Sequence, residues 1–455
     1  MLLLAGLLGA SLSFGCGSDA GNSPPMPKPC ASGECMPVAG NGGSPAGGGS
    51  DGGSDNGGSA ERDDGGGAAG EGGVAGDPRP PLELEQRIEQ AVEQIQTDSC
   101  FAGDDSSLCE WSDYEVGPAQ FGMARSTAEA VLLIDDFGAG YYPQLVRYRN
   151  RLLGFYRVDG DRVASQILSV HLPTRLGDAL VSFAGPEFIP ARALARVGSA
   201  ATAAYGKLNL LYYGHGGVVF AHAVELVPEQ PLLLLDLAEL LALPPAVCAG
   251  IDEQTLAAAS AHFAAIAASL KQVMIDKNVR FINASFGSTA PDLAVQWART
   301  CGSEVPSSEP LQALLHSYDP IYDLLFNTEG ILTAQAAANL GSPADYPFDQ
   351  VSAKFPNRVR VGFISAYSSG LDEMGRGTVQ KVEQLPVLGD ADVYLNWGCE
   401  AAVPEPRCAE RHYEFAASFG LGTATVSLMS TSYVDPLGLA RLVNLRYARH
   451  ASEPM

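Results

Sequence analysis

Apolar and polar positions separate a long unpatterned front from a patterned body that begins near Pro81. Between Leu82 and Ile95, the residues Leu84, Ile88, Ala91, Val92 and Ile95 recur at helical spacing and predict an amphipathic helix with one buried face. Val131-Leu132-Leu133-Ile134 shows no polar alternation, the pattern of a strand buried on both sides. Lys207 to Tyr213, Pro231 to Leu237, Val279 to Asn283, Gly330 to Ala338 and Arg358 to Ile364 predict further strands, and the Ala-rich run from Gln254 to Ile275 predicts a long helix. Ala424 to Leu428, small and β-branched, suits an extended run. After it, Leu439, Leu442, Val443 and Arg446 place a helix over Leu437 to Tyr447. Strands alternating with helices predict an α/β fold whose central sheet is mostly parallel and flanked by helices.

The front carries a different signal. Residues 39–76 hold 17 of the 51 glycines, mixed with Ser, Asp, Asn and Ala, and no apolar period survives there. Such a stretch buries too little to offset its ordering entropy and reads as a flexible tether over 17–80. Leu2 to Gly15 is apolar but too short to span a bilayer, as in an export signal covering 1–16, although the first Lys is Lys28. Ser13-Phe14-Gly15-Cys16 resembles a bacterial lipobox, which implies lipidation of Cys16 and a body over 81–455 held off a membrane surface, with 81–120 as an N-terminal extension.

Charge and cysteine content narrow the function. The formal charge of −24 argues against nucleic-acid binding, which needs a basic surface to displace counterions. Nine cysteines leave eight once Cys16 is set aside for lipid, in the neighbouring pairs Cys30/Cys35, Cys100/Cys109, Cys248/Cys301 and Cys399/Cys408. An even remainder in an exported chain suggests disulfides, whose connectivity spacing alone leaves open. No C-x2-C pair supports zinc and no EF-hand-like loop supports calcium, so no cofactor is implied, with structural calcium left open.

Four segments could carry chemistry at the ends of strands, where α/β sheets gather their functional groups. They are Asp135-Asp136-Phe137-Gly138, Tyr213-Gly214-His215-Gly216-Gly217, Ala336-Ala337-Ala338-Asn339 and Ser430-Thr431-Ser432-Tyr433-Val434-Asp435-Pro436. Each has an ordinary alternative: a turn Asp, a loop His, a helix-terminating Asn, a capping Ser/Thr cluster. In the order Asp, His, Asn, Ser they resemble the subtilisin-like serine proteases (subtilases), over about residues 120–449. His215-Gly216-Gly217-Val218-Val219 is similar to that family's histidine block, Ile282-Asn283-Ala284-Ser285-Phe286-Gly287 to its substrate-binding strand, and Phe355 to Gly362 to the strand after the oxyanion Asn.

The resemblance implies a subtilisin-like three-layer fold and hydrolysis of peptide bonds. Ser432 would attack the carbonyl, His215 would take and return the proton, and Asp135 would fix the imidazole, with Asp136 as its rival. Asn339 would donate to the oxyanion. Ser285, Phe286 and Gly287 would pair with an extended peptide, and Ala336 and Ala337 would wall the pocket for the side chain before the scissile bond. The implied partners are a peptide or protein substrate and a membrane reached through the lipid anchor, with the protein a monomer in the cell envelope or secreted. Gly-to-Ser at Ser430, Ala338 in place of Gly, and the bulk and charge of Tyr433 and Asp435 support a second reading, a weak or inactive peptide-binding module on the same scaffold. An esterase is disfavoured, because no G-x-S-x-G elbow frames Ser432.

Overall fold

The computed structural model describes residues 82–449 except 103–107, 124–125, 138–141, 186–188, 190, 208–214, 303, 338–353, 365–366, 372–376, 382–390, 397–413, 416–420, 422–423 and 426–430. The first part of the described chain runs α1 (Leu82–Thr97), α2 (Ser99–Ala102), β1 (Trp111–Val116), β2 (Ala130–Asp135), α3 (Pro143–Tyr148), β3 (Leu152–Asp159), β4 (Arg162–Ser165), β5 (Leu168–Pro173), α4 (Thr174–Ser182), α5 (Ala191–Lys207) and α6 (His215–Leu226). It continues with β6 (Leu232–Asp236), α7 (Glu253–Asp276), β7 (Val279–Ala284), α8 (Ala290–Thr300), α9 (Ser308–Leu315), α10 (Asp319–Asn327), β8 (Leu332–Ala336) and β9 (Arg358–Ile364). The last elements are β10 (Tyr367–Leu371), β11 (Gly377–Lys381), β12 (Val393–Asn396), β13 (Glu414–Phe415), β14 (Ala424–Thr425) and α11 (Thr431–Arg449).

Eight strands form the central sheet in the order β12-β9-β8-β7-β2-β6-β3-β4. Every pairing is parallel except β3 with β4. The chain enters this sheet in its middle at β2, steps out to β3, returns with β6 against β2, then crosses to the other side and moves outward through β7, β8, β9 and β12. The strand order therefore reverses about β2. Loops diverge at such a switch point and open a crevice beyond the carboxyl ends of the strands.

The unbroken apolar runs of β2 and β6 follow from burial on both sides, and all of Ala130–Asp135 and Leu232–Asp236 is buried. Alternate residues feed two cores. Val131, Leu133, Leu232, Leu234 and Phe281 join one layer with residues of α1, α4, α5, α6 and α11. Leu132, Ile134, Leu233, Leu235 and Ile282 join the other with residues of α7, α8, α9 and α10. Among the described helices α7 alone is long and apolar enough to cross a membrane by composition, yet its Phe263, Ile266, Leu270 and Met274 are buried in this second core. Asp252 and Thr255 close its N-terminus in a capping box.

Two of the neighbouring cysteine pairs are bonded, Cys100 to Cys109 and Cys248 to Cys301. The other two pairs and Cys16 lie outside the described residues. The Cys248–Cys301 bond ties the 3₁₀ turn Pro245–Ala249 to the end of α8 across 53 residues. Loop entropy makes this the larger constraint of the two, and replacing both cysteines by Ala is expected to lower unfolding free energy by about 4 kcal/mol in a urea titration.

Two element boundaries depart from the sequence expectation. Lys207, predicted to start a strand, is the last residue of α5, an Ala-rich run whose helix propensity continues past the expected boundary. The helix expected from Leu437 begins six residues earlier, at Thr431, and carries Pro436 inside it. Ser432 is thus in the first helical turn rather than ahead of the helix. The separate pairs β1–β5, β10–β11 and β13–β14 are antiparallel and stand outside the central sheet.

Candidate functional site

The carboxyl ends of β2, β6 and β7 bring Asp135, Asp236 and Ser285 to one edge of the sheet. Asp135 and Asp236 are direct partners across the parallel β2–β6 pair. Their surroundings divide their roles. Asp236 is committed to structure: Oδ1 accepts from the backbone N–H of Phe137 and Ala238, and Oδ2 pairs with Arg157 at 2.8 Å. Burial still outweighs these partners and holds its pKa above the usual carboxylate range. Asp135, 1% exposed, accepts from the Asp136 N–H at 2.7 Å and from His215 Nδ1–H at 2.6 Å on the same oxygen, Oδ1.

The glycines after His215 explain its position. The Gly216 N–H donates to the Asp136 carbonyl at 3.2 Å, and a Cβ on Gly216 would lie 2.3 Å from that oxygen. A Cβ on Gly217 would meet the Gln144 amide at 2.3 Å. Only a residue without a side chain lets the start of α6 come this close to the end of β2. Asp136 contributes its carbonyl to this approach and also accepts there from the Tyr142 hydroxyl, while the carboxylate on the imidazole is that of Asp135. The His215 side chain is 25% exposed. Burial pulls its pKa down, but the Asp135 charge and hydrogen bond, with Asp136 behind them, outweigh that and hold it above the ordinary histidine value.

The first turn of α11 meets this pair. The Tyr433 ring lies 5.2 Å from the His215 ring, centre to centre. Ser432, next to it, is fully buried, and its hydroxyl donates to the Ser285 carbonyl at 3.4 Å. Thr431 donates to the Ala337 carbonyl at 2.5 Å, which pins the helix start to the end of β8. Pro436 has no N–H, so the Ser432 carbonyl four residues back lacks its usual helical donor, and the ring crowds it. The Ser285 hydroxyl supplies a donor at 3.1 Å. The next carbonyl, that of Tyr433, accepts from His222 Nδ1–H at 3.0 Å. Burial pushes the His222 pKa down to about 3, so the ring is neutral and keeps one N–H to give.

Asp435 completes the floor. It is fully buried, and its Oδ2 takes the Asn283 amide and lies 3.3 Å from the Ser285 hydroxyl. Burial drives its pKa well above the carboxylate range, and the nearby Asp135 charge adds to the shift, against the hydrogen bonds from Ser285 and the Ala284 backbone.

Of the residues singled out from the sequence, Asp135, His215, Ser432 and Ser285 meet at this edge. Phe286 is buried in the second core, Gly287 beside it is partly exposed, and Ala336 and Ala337 are buried at the end of β8. Asn339 lies outside the described residues. His222, a rival to His215 in the sequence set aside for want of flanking glycines, and Asp236, which was not singled out, belong to the site's surroundings. Asp236 had a readable signal, since it ends an all-apolar strand as Asp135 does. No group of His, Cys, Asp or Glu among the described residues is arranged to hold a metal ion. No family model, curated protein or solved structure matches the chain, so the reading of this site rests on its own geometry.

Proposed function

We propose that the chain is an exported serine endopeptidase of subtilisin-like fold, tethered through lipid on Cys16, with Ser432 as nucleophile, His215 as base and Asp135 as the group that orients the base. The observation that carries this reading is the 2.6 Å bond from His215 Nδ1–H to a buried Asp135 carboxylate, at a sheet edge where the α11 turn bearing Ser432 arrives. Asp135 keeps the imidazole proton on Nδ1 and leaves Nε2 with a lone pair, the tautomer a general base needs.

The chemistry then follows. Nε2 takes the Ser432 hydroxyl proton as Oγ bonds to the substrate carbonyl carbon. The tetrahedral intermediate collapses as His215 protonates the leaving amine, and water repeats the sequence on the acyl-enzyme. Ser432 sits in the first turn of a 19-residue helix, whose positive dipole end favours a developing oxyanion. Asn339 is the proposed side-chain donor. The order Asp, His, Ser along the chain agrees with the subtilisin arrangement.

A second reading, a peptide-binding module without turnover, draws on one observation: Ser432 is fully buried with its hydroxyl turned to the Ser285 carbonyl. Treating the purified full-length chain, disulfides intact, with a fluorophosphonate distinguishes the two. Covalent labelling that is lost in Ser432→Ala is the expected result. A folded wild-type protein that stays unlabelled over hours would sink the peptidase reading and favour the binding module.

A further inference from the structure

Asp435 is a carboxyl group in the wrong place for a carboxylate. It is fully buried in α11, and no cation among the described residues acts on it. From β7 it faces the Asn283 amide, and from the following loop the Ser285 hydroxyl. From β8 and β9 the side chains on this face are Ala334 and Val361. From α6 the imidazoles nearest its turn are His222, which is neutral, and His215, which is paired with Asp135. From β2 it faces Asp135 itself, an anion. A carboxylate here would be desolvated, without a counter-ion among the described residues and repelled by Asp135, and together these outweigh the hydrogen bonds from Ser285 and the Ala284 backbone, whereas a carboxylic acid is merely a buried polar group. Its Oδ1 is buried without a hydrogen-bond partner among the described residues, which a neutral acid's carbonyl tolerates better than a carboxylate oxygen does.

We propose that Asp435 is a positioning residue that works as a carboxylic acid: its proton, on Oδ2, goes to the Ser285 hydroxyl, which frees the Ser285 proton for the Ser432 carbonyl, whose helical donor Pro436 replaces with a ring. Among the described residues the Ser285 hydroxyl has one proton to share between Ser432 O at 3.1 Å, Asn283 Oδ1 at 3.3 Å and Asp435 Oδ2 at 3.3 Å. A carboxylate would compete for that proton, and the acid directs it to Ser432 instead. The same Ser285 presents the carbonyl on which the Ser432 hydroxyl rests, so the acid holds both ends of the proposed nucleophile through one residue. This inference rests on the peptidase reading for its catalytic meaning, but the acid itself is tested without turnover.

The test compares unfolding of full-length wild type and Asp435→Asn from pH 5 to pH 9. A group kept protonated in the fold but ionised when unfolded makes stability fall as pH rises above its unfolded value, by up to about tenfold in the folding equilibrium per pH unit. Asn cannot ionise, so the wild type is expected to lose stability relative to the variant steadily across the range, whatever their constant offset. Parallel curves overturn the proposal. Ser285→Ala supplies the second arm: it keeps the pH slope but should slow fluorophosphonate labelling of Ser432 at least tenfold in a folded protein. Unchanged labelling also overturns the proposal. Diverging stability curves in a wild type that is never labelled support the acid and sink the peptidase reading.

Discussion

Asp135→Asn is expected to slow fluorophosphonate labelling and peptide turnover by about 10⁴-fold while leaving the fold in place. The reason lies in which atom of His215 carries the proton. The carboxylate can only accept, so the Nδ1–H must point at it across 2.6 Å. An Asn in the same place can turn its NH₂ toward Nδ1, which moves the ring proton to Nε2 and removes the base. The pH profile gives an independent check. Asp135 holds His215 above the ordinary value of 6.5, so in wild type the neutral base appears, and the rate rises, only as pH climbs through a raised midpoint. In the variant the midpoint drops. Stability has the opposite pH dependence. The charged His215–Asp135 pair contributes most below the unfolded histidine pKa, and its contribution is lost as pH rises through the raised folded value. Loss of the base with no change in midpoint would place the effect of Asp135 outside the imidazole.

Gly216→Ala is expected to cost about 2–3 kcal/mol in urea unfolding and to slow labelling at least tenfold, although it adds one methyl group. The added carbon would sit 2.3 Å from the Asp136 carbonyl oxygen and 3.0 Å from the Phe137 ring. The carbonyl belongs to the backbone just past β2, in the middle of the sheet, and Phe137 is wholly buried, so neither can yield cheaply. Relief comes by moving the start of α6 away from β2, which lengthens the contact between His215 and Asp135. A histidine midpoint measured by NMR should fall back toward its ordinary value in step with the lost labelling. A variant that is destabilised but keeps the wild-type midpoint would show that the helix start is not what brings the pair together.

Much of this arrangement was legible where one residue pattern has one physical solution. The all-apolar run Val131 to Ile134 can be satisfied only by burial on both faces, and an Asp at its end then falls at the rim of the sheet. The glycines after His215 likewise announced a close backbone approach. The rest depended on partners that local pattern cannot supply. Lys207 closes a helix because the Ala-rich stretch before it is helical, and the rest of the strand expected there, Leu208 to Tyr213, lies outside the described residues. The pattern placed the helix from Leu437, yet it begins at Thr431, where Ser285 and His222, far away in sequence, donate to the Ser432 and Tyr433 carbonyls near Pro436. Asp435 read from the sequence as an added charge, and burial removes the charge. His222 stood out in sequence only as a rival to His215 without flanking glycines, because a neutral buried donor looks like any other histidine.

The placement of α11 has a consequence in time. Asn283 meets Asp435 across 152 residues of sequence, and Ser285 meets Ser432 across 147. These long-range contacts form slowly, since chain closure must precede any gain from them. During synthesis, the Asp135–His215 pair joins segments 80 residues apart, both made before Ser432. The helix that bears the proposed nucleophile is the last described element in the chain. If Ser432 is the nucleophile, a growing chain holds no complete triad until α11 has been made.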